Sequence, residues 1–152
     1  MDSALIWDGD WAWALPLIVI TVVIHAIGLG VINREVVRTV DLVRTHRNFN
    51  ILFAFVMGVT TLLATLLHSL EAAIWAMFYW GMSALPDGKS ALLYSLNAMT
   101  TYGHANLQLP PRWQLMGALE ALNGMLLFGL TTAFLYGVLQ RVWPSDRRGT
   151  HP

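Results

Sequence analysis

The chain has no cysteine, which excludes disulfides and thiolate metal sites and leaves its redox compartment unmarked. Charge is scarce as well. Charged residues make up 12% of the 152 residues, against about a quarter in ordinary soluble domains. The net charge is zero, which excludes a generally basic nucleic-acid binder. Lys and Arg are missing ahead of the first apolar run, where Asp2, Asp8 and Asp10 stand instead. A cleavable signal peptide needs a positive flank there, so this run is expected to stay in the mature protein. No internal repeat is visible. What is abundant is apolar: 56% of the residues are hydrophobic and the mean hydropathy is +0.55. The three longest apolar segments carry almost no charge, so they could not clothe a soluble fold. The expected solvent is a lipid bilayer.

The first segment covers residues 13–32, about twenty residues and enough to cross a hydrocarbon core of ~30 Å. Pro16 is expected in its first turn, where a missing N–H costs little. The second covers residues 51–80, about 45 Å of helix, and must tilt or protrude. The third covers residues 115–142. Arg34, Arg38, Arg44 and Arg47 outnumber Glu35 and Asp41 between the first two, and Arg141, Arg147 and Arg148 outnumber Asp146 after the third. By the positive-inside rule the N-terminus lies outside and the C-terminus in the cytoplasm of a cell inner or plasma membrane. Trp7, Trp11 and Trp13 then fall in the outer aromatic belt and Trp143 in the inner one. Val36, Val37, Val40 and Val43 keep helical spacing, so the first helix is expected to continue along the interface. The arginines flank a span rather than lie within one, which argues against a voltage sensor. Residues 143–152 read as a short disordered tail.

Between the second and third spans, Pro86-Asp87-Gly88 opens a turn. An apolar stretch over residues 90–99 follows, about 15 Å long, which can enter a bilayer but not cross it. Then come Thr100-Thr101-Tyr102-Gly103-His104-Ala105-Asn106 and Pro110-Pro111. A half-helix, an irregular segment and a return to the same side make a re-entrant loop. Such backbone is tolerated at membrane depth only where protein buries it or water lines it.

Residues 51–140 resemble the outer helix, pore helix, filter and inner helix of potassium-channel pore domains, and are similar to small bacterial two-helix pore modules. That family's filter reads Thr-Thr-x-Gly-Tyr-Gly-Asp, in register with residues 100–106 here. Tyr94 and Ser95 in the pore helix, Trp113 at the start of the inner helix and the run from Glu120 to Gly124 support the match. The resemblance implies a homotetramer sharing one filter, a monovalent cation such as potassium or sodium as its cargo, and no resident cofactor, enzymatic activity or nucleic-acid partner. In the family, filter carbonyls replace the hydration shell of the ion. Three positions depart. Ala105 stands where the second glycine needs a conformation that Cβ penalises by roughly 1–2 kcal/mol, His104 replaces the tyrosine, and Asn106 replaces the closing acid. Thr101 and Gly103 are kept. The expectation is a weakly selective or pH-sensitive filter, with His104 either a titratable gate or a ring packed behind the filter. The alternatives are a non-conducting relative serving as a structural or partner-binding subunit, and a His/Glu metal-binding enzyme subunit.

Four further residues, His68, Glu71, Asn97 and Glu120, are expected to support the pore helix and filter, with His68, Glu71 and Glu120 as the alternative metal or proton site. Counting ~1.5 Å per residue from the cytoplasmic ends of the spans puts His25 about 10 Å deep and His68 about 25 Å deep. That difference argues against a haem held by paired histidines and leaves His25 a hydrogen-bonding role. Asn123, Leu127, Thr131 and Phe134 form one helical stripe, the candidate cavity face. The fold class is therefore an all-α integral membrane protein: three transmembrane helices, with a re-entrant pore helix and filter loop between helices 2 and 3. It divides into an N-terminal helix and linker (1–48), a pore-domain-like module (49–142) and a tail (143–152).

Overall fold

The computed structural model describes residues 3–45, 48–103 and 107–142. Four α-helices follow one another: α1 (Ser3–Thr45), α2 (Phe49–Gly81), α3 (Gly88–Met99) and α4 (Gln114–Val142), with a 3₁₀ turn at Pro111–Trp113 ahead of α4. No strand occurs among the described residues. Three helical stretches, Asp10–Thr39, Phe49–Gly81 and Pro111–Val142, are long and apolar enough to cross a membrane. The outward sides of these helices are apolar: Val19, Ile27, Leu66, Met77 and Met125 are all more than half exposed. Water would make such a surface a liability, whereas hydrocarbon covers it without penalty.

The start of the first helix departs from the sequence expectation. It starts ten residues before the charge-free window, so Pro16 lies well inside it rather than in its first turn. Pro16 cannot donate to the carbonyl four residues earlier, a defect that membrane helices tolerate. At its other end α1 runs unbroken through the Arg34–Arg38 stretch, where Arg38 pairs with Glu35 at 2.7 Å on the exposed side and Val36 is buried.

The bundle is layered. At the end carrying the α2–α4 connection, Ala14, Trp75, Tyr79, Tyr94, Trp113 and Met116 form an aromatic-rich core. At the opposite end, beside the α1–α2 turn, Leu29, Ile32, Val36, Val138 and Val142 pack with Phe53 and Phe134. Ala72, Met99 and Leu127 lie between the two. α1 contributes to both end clusters, so the core runs across the boundary at residue 48. Buried polar side chains of α1, α2 and α4 fill out the interior: Thr21, His25, Glu71, Glu120, Asn123 and Thr131.

Candidate functional site

The short helix α3 is held at its start by Asp87, whose side chain accepts from the Ser90 backbone N–H at 2.9 Å and from the Ser90 hydroxyl at 2.8 Å. This is an N-cap of the kind that satisfies the orphan donors of a first turn. The Ser90 backbone N–H above all holds the exposed Asp87 carboxyl below its usual value.

Farther along, Ser95 is fully buried. Its hydroxyl donates to the Ala72 carbonyl at 2.7 Å and also lies against Glu120 Oε1. Tyr79 donates to the other oxygen, Glu120 Oε2, at 2.7 Å. One carboxylate thus ties α2, α3 and α4 together. Two glycines of α4 let α3 come close: a Cβ on Gly117 would meet the Tyr94 phenol, and one on Gly124 would meet the Met99 backbone. Tyr94 also stands edge-on to Tyr79, with ring centroids 5.3 Å apart.

α3 has twelve residues, about 18 Å, and its last residue lies against Gly124, ten residues into α4. It ends in the paired hydrogen bonds of a Schellman motif: Tyr102 N–H to Asn97 O and Thr101 N–H to Ala98 O, each 3.0 Å. The left-handed position that this motif requires is held by Thr101, at φ 55°, where glycine is usual and a β-branched residue is strained. Gly103 follows at φ 91°. Thr100, Thr101, Tyr102 and Gly103 are all exposed in the isolated chain, Tyr102 to 84%. His104, Ala105 and Asn106 lie outside the described residues.

The four residues expected to brace the filter separate into two groups. Glu120 holds α3 through Ser95. Asn97 is half-buried and contributes its backbone carbonyl to the α3 cap. His68 and Glu71 turn to α1 and α4 instead: Glu71 Oε1 lies 2.8 Å from His25 Nδ1, and Thr131 Oγ1 lies 3.0 Å from both His25 Nε2 and His68 Nε2. His68 Nδ1 stands 3.3 Å from Glu71 Oε2. The rings of His25 and His68 are 4.9 Å apart, which corrects the depth count. That count began at the charged linker, but helix continues through it. His25 lies twenty residues before the end of α1 and His68 nineteen after the start of α2, so a short turn brings them level.

The α4 stripe expected to face a cavity faces the inside of the chain. Asn123 donates to Thr21 Oγ1 at 2.8 Å, Leu127 packs with Ala72 and Met99, Thr131 meets both histidines, and Phe134 is half-buried in the cluster at the α1–α2 end. α1 covers this face, which a two-helix template has no element to do. The large exposed side chains of α4 include Leu122, Met125, Leu126, Phe128, Leu130 and Tyr136.

Among the described residues, His25, His68 and Glu71 are the group that brings three metal-ligating atoms within 4.8 Å of one another. The sequence suggests Glu120 as the partner of His68 and Glu71 and leaves His25 out. The available signal was the pair Thr21 and His25, four apart on an otherwise apolar helix and therefore on one face.

Comparison with protein-family models, with curated proteins and with solved structures finds no match to this chain.

Proposed function

We propose that the chain is one subunit of a homotetrameric, cation-channel-like protein of a cell inner or plasma membrane, with α3 and residues 100–110 forming a re-entrant pore loop. The observation that carries this reading is the exposure of residues 100–103 at the end of a half-length helix. The last turn of α3 lies beside Gly124, well inside the apolar stretch of α4. Hydrocarbon cannot solvate irregular backbone there, so other subunits and a water-filled path must cover it. Four loops around an axis do both. Left-handed Thr101 and Gly103 fit backbone that must turn carbonyls toward an ion rather than along a helix. The N-terminus lies outside and the lipid-facing surface is the apolar outer side of the bundle. Residues 104–106 set selectivity, and their departures from the potassium pattern make the pore weakly selective.

The test is ion flux through the purified chain in liposomes, with potassium or sodium as the permeant ion. Wild-type protein should pass both, and the triple variant His104→Tyr, Ala105→Gly, Asn106→Asp should favour potassium. A chain that is assembled and oriented but passes neither ion would overturn the conducting reading and leave a structural membrane subunit.

A further inference from the structure

The side chains of Glu71, His25, Thr131 and His68 close into a ring. Its four contacts are Glu71 Oε1 to His25 Nδ1 at 2.8 Å, His25 Nε2 to Thr131 Oγ1 at 3.0 Å, Thr131 Oγ1 to His68 Nε2 at 3.0 Å, and His68 Nδ1 to Glu71 Oε2 at 3.3 Å. Counting hydrogens exposes a deficit. Each neutral imidazole brings one N–H, Thr131 brings one O–H, and an ionised carboxylate brings none. Three hydrogens serve four contacts, so at one of them two lone pairs face each other. The structure shows where: His68 Nδ1 and Glu71 Oε2 are buried and have no hydrogen-bond partner. Glu71 is fully buried and Oε2 points into the cluster, so the gap calls for a cation.

We propose that His25, His68 and Glu71 bind one divalent transition-metal ion of the zinc class between α1 and α2. With both Nδ1 atoms as donors, both Nε2 atoms carry hydrogen, and the two lone pairs of Thr131 Oγ1 accept both. That is the outer-shell support metal-bound histidines need, and here one residue of α4 gives it to two ligands. The two carboxylate oxygens complete a set of two nitrogens and two oxygens. Imidazole and carboxylate together suit zinc, cobalt or iron better than calcium or magnesium. Atoms bound at about 2.0–2.2 Å in a tetrahedral site lie ~3.3–3.6 Å apart, so side-chain shifts of just under about one ångström bring in a cluster now within 4.8 Å. Phe128 stacks on His68 with centroids 4.2 Å apart, fixing the ring on its outer side. The His68 side chain is 12% exposed, while His25 and Glu71 are sealed. Three helices would then be pinned by one ion, whether or not the loop conducts.

The test uses the full chain, purified in detergent, stripped with chelator and titrated with cobalt(II), then with zinc. The expected result is one cobalt per chain, with the visible absorption of four-coordinate nitrogen and oxygen ligation, displaced by zinc. His68→Gln and Glu71→Gln should abolish the spectrum, and Thr131→Val should weaken binding by about 10- to 100-fold. Should those variants fail to fold, a chain carrying His46→Gln, His104→Gln and His151→Gln keeps the test decisive, because His25 and His68 are then its only histidines. It should bind cobalt like wild type. No cobalt bound by folded wild-type chain, or binding lost in that triple variant, would overturn the proposal and leave the gap to a proton. Unchanged binding in folded Glu71→Gln would also overturn it.

Discussion

Gly124 lies against the backbone of Met99, with the Met99 Cα 2.7 Å from the place a Cβ on Gly124 would occupy. Backbone cannot rotate aside as a side chain can. Gly124→Ala should therefore push α3 outward, at a cost of roughly 1–3 kcal/mol. Gly129→Ala has open space and should be neutral or slightly stabilising. Thermal melts of both variants in detergent check the pair; equal melting temperatures would mean that α3 is not docked as described.

Glu120 is fully buried, accepts from Tyr79, lies against the Ser95 hydroxyl, and forms no ion pair among the described residues. Its role asks for polar atoms rather than charge. Glu120→Gln should keep near-native stability, since the amide can accept from Tyr79 and donate to the Ser95 hydroxyl, which still has the Ala72 carbonyl to donate to. Glu120→Ala strands buried groups, at about 1–3 kcal/mol for each left without a partner. Melting of the two variants tells them apart.

Thr101 holds a left-handed position that glycine would occupy without strain. Thr101→Gly should raise stability by about 1–2 kcal/mol and lower cation flux in liposomes. A loss of stability with flux unchanged would place the residue outside both the strain and the pore.

Asp87 caps α3 as a carboxylate, and its pKa in the folded chain lies below the unfolded value of about 3.9. Its contribution is thus fully present above that value and is lost as pH falls through the folded one. Hydrogen-exchange protection at the first turn of α3, taken against the intrinsic rate at each pH, should be high at neutral pH and fall below about pH 4. Asp87→Asn should remove the pH dependence and keep the cap, whereas Asp87→Ala should open the turn at every pH.

Much of this architecture was legible in the sequence because its signals are local. Uncharged runs of twenty residues or more give the spans, and α2 and α4 begin and end within two residues of the expected limits. Asp87 beside Gly88 marks the start of α3. The helix pairing that α1 imposes was not legible. Nothing local tells His25 that Glu71 and Thr131 lie opposite, and a depth count started at the wrong helix end separates residues that touch. The α4 stripe shows the same limit. Asn123, Leu127 and Thr131 share a face by periodicity, but periodicity does not say whether that face meets a cavity or another helix of its own chain.

The proposed pore requires copies of the same chain to cover residues 100–103 around a shared axis. Native mass spectrometry of the full chain released from detergent micelles counts those copies. The expected result is a dominant species of four chains, about four times 16.9 kDa. A stable monomer, dimer or trimer under conditions that keep the protein folded would contradict it.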